Sequence, residues 1–417
     1  MGKRILLIGY NFSPEPTGIG KYSGEMIHWL ANHGYDCTVI TTYPYYPYWK
    51  VQEPYYKKRF WYLKEVADFN SGGKITTYRC PMYVPSEPSG KKRMLLDLSF
   101  MGSAFFQLLK LAFHKKHDTV ITVVPSFQFG ILGCFYKAIK KAKAVYHIQD
   151  MQIEAAQDLK MITSERLLKK LYKVEDYIFK NSDVISTISE KMVEKISKKA
   201  KKGVFLFPNW SDTHFFSPLP NKELLKTNFG FAATDKVVLY SGAIGEKQGL
   251  ESIIYAADYF KEDQKIKFVI CGSGPYKEKL QDLTNSLKLY NVIFFPLQPM
   301  EKFNEFLNMA DVHLVIQKTK ASDLVMPSKL TTILSVGGLA LITANPDSGL
   351  YGLVSKYNMG VLVNAESQKA LNKGLSDALL EGIGIHDNIR QNARQYAETY
   401  LDIDTIMSNF QVKVLEG

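Results

Sequence analysis

Cysteine is scarce in this chain. Four residues in 417, Cys37, Cys80, Cys134 and Cys271, stand far apart and match no metal-ligand spacing. Each precedes or lies in an apolar stretch, so they read as buried free thiols of a reducing cytoplasm rather than a disulfide framework. Long apolar runs are missing as well. No stretch of about 18 or more uncharged apolar residues occurs, so no spanning helix is expected. The run Ile5–Ile8 is too short for a secretory leader and leads straight into a loop. There is no short-period repeat and no low-complexity linker. Acidic charge is short in one half only. Residues 1–200 hold 30 Lys and Arg against 18 Asp and Glu, whereas 201–417 hold 22 against 23. The excess behind the net charge of +11 therefore lies in the N-terminal half. A basic half attracts nucleic acid, an anionic membrane or an acidic substrate. Helix-turn-helix, zinc-finger and RNP signatures are absent, so no nucleic-acid partner is expected.

What the chain does have is length for two cores, since single cores rarely grow past about 250–300 residues. Strand signals occur at Arg4–Ile8, Cys37–Thr41, Ile75–Tyr78, Thr119–Val123, Ala144–His147, Val184–Thr187 and Val204–Phe207. Amphipathic segments lie between them, the first a helix from about Gly20 to His33, closed by Gly34. The second half repeats the alternation, with strands at 237–240, 266–270, 292–295, 312–315, 340–343 and 361–363. This is the pattern of doubly wound parallel sheets. Two α/β domains follow, 1–207 and 208–386, joined at the PNW turn 208–210, with a polar helical segment at 387–417. In such folds ligands bind beyond the carboxyl ends of the strands.

The second half carries the most informative motifs, YSGAIGEKQGL at 240–250 and FVICGSGP at 268–275. Each follows a strand signal and turns through glycines into a helix. Gly242, Gly245 and Gly249, then Gly272, Ser273 and Gly274, let backbone N–H groups approach a bulky anion. Lys247 stands where a cation can pair with phosphate, and the helix N-termini add positive dipole ends. Two such turns at successive strand ends suit a diphosphate carrying a nucleoside and a sugar; the plainer reading is two tight connections. A third loop, DLVMPSKL at 323–330, adds Met326, Pro327, Ser328 and Lys329 near a helix start, and Asp323 as its only carboxylate. The only Asp-x-Asp is Asp402–Asp404, far in sequence from these loops, so neither a metal nor another cofactor is expected. Lysines and helix dipoles can stabilise leaving-group charge instead.

In the first half, NFSPEPTGIGKYSGEM at 11–26 places Gly18, Ile19, Gly20 and Tyr22 where a proline-fixed loop turns into a helix. The spacing is not a dinucleotide fingerprint. It reads as a plain βα loop or as a lip touching donor phosphate or acceptor. YHIQDM at 146–151 sets His147 and Asp150 at a strand end, candidates to contact a sugar, with Glu154 a second-choice carboxylate. In ISTISE at 185–190, Ser189 is placed to cap a helix. Asn209, in FPNWSD, lies in the hinge and is a candidate cleft contact. Aromatics crowd 42–63, beside the basic clusters Lys57–Arg59, Lys91–Arg93 and Lys115–Lys116. The apolar segment 94–113 carries Asp97, Gln107 and Lys110, which argue against a span. It reads as a buried core helix or as an interfacial helix on anionic lipid.

On these residues the chain resembles the GT-B glycosyltransferases of family 4. Gly242, Lys247 and Gly272–Pro275 fit the family's donor pattern. Ala243 stands in place of its usual arginine, and Leu324 and Thr332 in place of its two glutamates. The runs GYNFSPEPTGIGKYSGEM and HGYDCTVITTYPYYPYW resemble the colanic-acid-type members, among them enzymes that move fucose or N-acetylfucosamine, and this likeness spans nearly the whole chain. It implies two Rossmann-like domains facing a central cleft, the first for acceptor, the second for a nucleotide-sugar donor, with 387–417 crossing back to the first. It implies a retaining, metal-independent transfer in which His147 hydrogen-bonds the sugar, and Ser328 and Lys329 replace the glutamate contacts. It further implies a polyprenyl-diphosphate-linked saccharide acceptor and a cytoplasmic enzyme on an anionic membrane face. Two rival readings stay open: a GT-B sugar-nucleotide epimerase, which rests on the missing glutamates, and a non-catalytic scaffold, which rests on Ala243, Leu324 and Thr332.

Overall fold

Ile5, Leu6, Leu7 and Ile8 are apolar on both faces of a strand and are almost wholly buried, so β1 (Arg4–Ile8) forms the middle of a sheet. The computed structural model describes residues 3–16, 18–158, 164–318, 326–379 and 385–417. Around β1 assemble β2 (Asp36–Thr41), β3 (Leu63–Asp68), β4 (Lys74–Arg79), β5 (Thr119–Val124), β6 (Lys143–Ile148), β7 (Val184–Thr187) and β8 (Val204–Leu206). Their order is β3-β4-β2-β1-β5-β6-β7-β8. Every pair is parallel except β3 with β4. The chain direction of winding reverses between β1 and β5, where a doubly wound sheet opens its ligand crevice.

Strand β3 is not expected from the sequence. LKEVAD lies at the sheet edge with most side chains solvated, so it shows no apolar run. The helix Gly90–Ala112 buries Leu96, Phe100, Ala104, Leu108 and Leu111 and leaves Met94, Leu95, Leu98 and Phe106 exposed. By length and composition alone it is apolar enough to cross a membrane, unlike the expectation from its charges. It nevertheless buries Asp97 and Gln107 in the unit's core. Serine capping is as the sequence suggests: Ser189 Oγ accepts from Met192 N at the start of Glu190–Ala200.

The second unit is built from β9 (Lys236–Ser241), β10 (Ile266–Cys271), β11 (Val292–Phe295), β12 (Val312–Val315), β13 (Ala340–Thr343) and β14 (Val361–Val363). All pairs are parallel, in the order β11-β10-β9-β12-β13-β14. This is the doubly wound dinucleotide-type order, with its switch point between β9 and β12. Its core joins Val238, Tyr240, Phe268, Ile270, Leu314 and Leu341.

The chain returns to the first unit later than expected. The first unit holds residues 1–208 and 407–417, the second 209–406. The helix Ile385–Tyr396 stays with the second unit because Arg394 donates to the carbonyls of Thr213, Phe216 and Ser335. The last residues belong to the first because Phe410 stacks on Phe207 at 4.2 Å and Lys3 Nζ donates to the Leu415 carbonyl.

Candidate active site

At the switch point of the second unit the chain leaves β9 through Gly242, whose φ is +151°. Here the backbones of two turns touch. Gly242 N donates to the Cys271 carbonyl, and Ile244 N to the Ser273 carbonyl. A β-carbon on Gly272 would stand 2.0 Å from the Gly242 carbonyl oxygen, and one on Gly274 2.1 Å from that of Ile244. No side chain fits at either position without moving backbone. The turns that carry Gly242 and Gly272–Gly274 are thus brought together by two backbone contacts, Gly272 on Gly242 and Gly274 on Ile244. Gly245 precedes the short helix Glu246–Gln248, which contains Lys247 in its backbone. Gly249 follows with φ +69°.

Cations reach this turn from elsewhere in the chain. Lys329, in the first turn of the helix Ser328–Ser335, holds Nζ 3.7 Å from the centre of the Tyr240 ring. Burial pushes its pKa down to about 7. Tyr240 donates its hydroxyl to the Ala243 carbonyl at 2.7 Å, and burial raises its own pKa well above the usual phenol range. The stem of Lys318, just past β12, lies against Gly249, its Cε 3.2 Å from where a β-carbon would stand. Sequence reading passed over Lys318. The signal was there, a lysine three residues after a strand beside the switch point, but only the strand order shows which strands flank that point. Met326 and Pro327 are half-buried and Ser328 exposed, at a helix start whose cap residue, Pro327, offers no side-chain acceptor. Ser273 is exposed. Asp323 and Leu324 lie outside the described residues.

In the first unit the glycine-rich loop closes on a buried acid. Gly18 opens the helix Gly18–Asn32 with φ +62°, Ile19 is half-buried, and Gly20 and Tyr22 are buried. The carboxylate of Glu15 accepts from Asn11 Nδ2 at 2.8 Å and from the amides of Tyr45 and Tyr46. Burial raises its pKa to about 7. Asp97 is raised to about 6, again by burial, against hydrogen bonds from Ser126, Gln152 and Tyr10 that lower it. The sequence did not single out either carboxylate as a site residue. Glu15 sits between prolines like a loop solvation residue, and nothing local says that two tyrosine amides will point at it.

His147 stands in β6 itself, not beyond it, 4% exposed. Its Nδ1 shares a hydrogen bond with Ser186 Oγ at 3.0 Å, and its ring meets Phe207 edge-on at 5.2 Å. Among the described residues its Nε2 has no hydrogen-bond partner. Burial pushes its pKa down to about 3, so the ring is neutral. Such a ring can donate or accept one hydrogen bond to a sugar but carries no charge at neutral pH. Asp150 is exposed in the loop after β6. Glu154 is committed elsewhere: Lys199 bridges it to Glu175. Asn209 is half-buried and begins the second unit. Asp402 of the Asp-x-Asp accepts from Thr213 Oγ1 at 2.6 Å and from Thr405 N at 2.9 Å, where it caps the helix Ile403–Phe410. Among the described residues no three His, Cys, Asp or Glu are grouped to hold a metal.

Residues 221–398 match the family model "Glycosyl transferases group 1", and residues 17–210 match "Glycosyl transferase 4-like domain". A relative from Escherichia coli (strain K12), assigned to colanic acid biosynthesis as the glycosyl transferase WcaI, is 39% identical over 415 residues, covering 98% of each chain. Among solved structures, the sucrose-phosphate synthase of Thermosynechococcus elongatus aligns over 99% of this chain and 98% of its own at TM-score 0.72 and 16% identity. HepE of Anabaena, in complex with UDP and glucose, aligns over all of both chains at TM-score 0.69 and 12% identity. WaaG, a glycosyltransferase involved in lipopolysaccharide biosynthesis, aligns over 98% of this chain and 99% of its own at 0.67 and 15%. At these identities the structural likeness is one of fold, GT-B.

Proposed function

The chain belongs to the group 1 glycosyl transferases, and on that premise we propose that it moves a sugar from a nucleoside-diphosphate sugar to a growing cell-surface polysaccharide. The observation that carries this reading is the meeting of the Gly242 turn with Gly272 and Gly274 beside the Nζ of Lys329. A surface with no side chains, bounded by a cation and a helix start without a side-chain cap, suits a diphosphate held by backbone N–H groups. The bond between the sugar's anomeric carbon and the diphosphate breaks, its electron pair leaves with the phosphate, the acceptor hydroxyl oxygen bonds to that carbon, and the hydroxyl proton passes to the departing phosphate oxygen.

Catalysis on this reading is electrostatic. Lys329, Lys247 and the turn amides hold the leaving diphosphate; Ser328, Met326 and Pro327 border it. Neutral His147 supports the sugar as positive charge develops, and Asp150 orients it. The transfer retains anomeric configuration and needs no metal, a reading supported by the family likeness and by the lysines at the turn. A sugar of fucose or N-acetylfucosamine type and a polyprenyl-diphosphate-linked acceptor fit the relative assigned to colanic acid biosynthesis.

A lipid-linked acceptor requires a protein that rests on the inner face of the plasma membrane. Exposed apolar and basic side chains of the first unit support that reading. Phe60, Trp61, Met94, Leu95, Leu98, Phe106 and Phe113 are exposed, Phe113 at 91%. Arg59 stacks on Tyr56 and Phe60, Arg93 on Trp49, and Lys110 on Tyr62. Basic side chains backed by aromatic rings suit an anionic interface.

Calorimetry with UDP-, GDP- and dTDP-sugars tests the donor reading: one of the three binds. Failure of all three overturns it. Transfer by that donor, assayed with and without EDTA, tests metal independence; loss with EDTA, restored by Mg²⁺ or Mn²⁺, overturns that part. Incubation with donor and no acceptor separates transfer from epimerisation, which alone yields an epimeric sugar.

A further inference from the structure

The turn that follows β9 brings no charge of its own at Ala243, and the cation that covers it comes from the helix Ser328–Ser335. Lys329 Nζ stands 2.8 Å from where a β-carbon on Gly242 would be, above the Tyr240 ring. The residue is half-buried, with its Nζ over the Tyr240 ring and against Gly242. Among the described residues no carboxylate or carbonyl pairs with it. The other elements against the site present the Tyr240 phenol, held by the Ala243 carbonyl, the stem of Lys318, and the short helix Glu246–Gln248, whose Glu246 is exposed. Lys329 is the sole charged residue of its own helix. Lys320 and Asp323 lie outside the described residues.

An ammonium in a half-buried position with no carboxylate partner among the described residues is disfavoured by desolvation, which pushes the Lys329 pKa down to about 7. The arrival of an anion reverses that balance, because the charged form gains a partner at close range. We infer that Lys329 takes up a proton from solvent when the donor's diphosphate arrives, so that donor capture is coupled to protonation of this one side chain. The inference rests on the nucleotide-sugar reading above. The amine becomes an ammonium, no bond to the phosphate forms, and the proton returns to solvent when the nucleotide leaves. Donor affinity then falls as pH rises above neutrality, by up to about tenfold per pH unit until the pKa of the bound state is passed.

The test is calorimetry of UDP, GDP and dTDP at pH 8, in HEPES and in Tris, whose ionisation heats differ. The nucleotide that binds is expected to bring close to one proton onto the wild-type protein. Lys329→Arg, charged at every pH used, is expected to bind the same nucleotide with little proton uptake and a flat affinity from pH 7 to 8.5. Lys329→Met is expected to bind at least tenfold more weakly at pH 7. Equal proton uptake in wild type and Lys329→Arg overturns this inference and leaves the donor reading standing. Failure of the wild type to bind any of the three overturns both.

Discussion

The carboxylate of Glu15 fills the space that a side chain on Gly20 would need: Oε2 lies 2.5 Å from where a β-carbon on that glycine would stand. Loop and helix start are therefore fitted to each other through a buried acid. Its folded pKa, about 7, lies above the ordinary 4.5, so the folded state holds this proton more tightly between those values. The stabilisation is full below about pH 4.5 and is lost as pH rises through 7, with an amplitude of about 3 kcal/mol. Glu15→Gln cannot titrate. Urea unfolding from pH 5 to 7.5 should therefore show a flatter dependence in the variant than in wild type; parallel curves would remove Glu15 as the source.

Gly272→Ala places a β-carbon 2.0 Å from the Gly242 carbonyl oxygen. Backbone, not a flexible side-chain end, must give way. A loss of about 1–3 kcal/mol of stability is expected, together with weaker nucleotide binding, because the two turns are forced apart. Thermal unfolding with and without nucleotide measures both. A variant with wild-type stability and affinity would show that the turns are looser than this contact requires.

His147→Ala should lower turnover about tenfold or more while the nucleotide dissociation constant stays within about threefold, since the proposed contact is to the developing charge on the sugar. The wild-type ring is neutral above about pH 3, so its titration should leave no limb in a pH–rate profile from 5 to 8. Wild-type turnover in the variant would return His147 to a packing role beside Ser186 and Phe207.

The exposed face of the first unit should bind vesicles containing phosphatidylglycerol at low salt and retain part of that binding at high salt. Lys91, Lys92 and Arg93 changed together to Glu should abolish the salt-sensitive part, at about 1 kcal/mol for each basic side chain lost. Trp61 and Phe113, both exposed, changed to Ser should abolish the salt-resistant part. A wild-type protein that fails to float at low salt would sink the membrane reading.

The sequence alone determined the buried strands of both sheets and the glycine turns. β1, β5, β9 and β10 are buried on both faces, so each announces itself as a short apolar run between turn residues. Gly242, Gly272 and Gly274 were legible because a strand followed by glycines and a helix is a local pattern. Tertiary structure decided the rest. β3 is a solvated edge strand defined by its partner β4, not by its own apolarity. Helix Ile385–Tyr396 is polar enough to suit either unit, and the three carbonyls that Arg394 reaches fix it to the second. His147 looked like a strand-end residue, yet its neutrality comes from burial within β6, against which the hydrogen bond with Ser186 works only weakly. Lys318 and Lys329 come to one turn from beyond β12 and from a helix start 86 residues after Gly242. Burial and long-range proximity set charge, and neither is a property of a residue's neighbours in sequence.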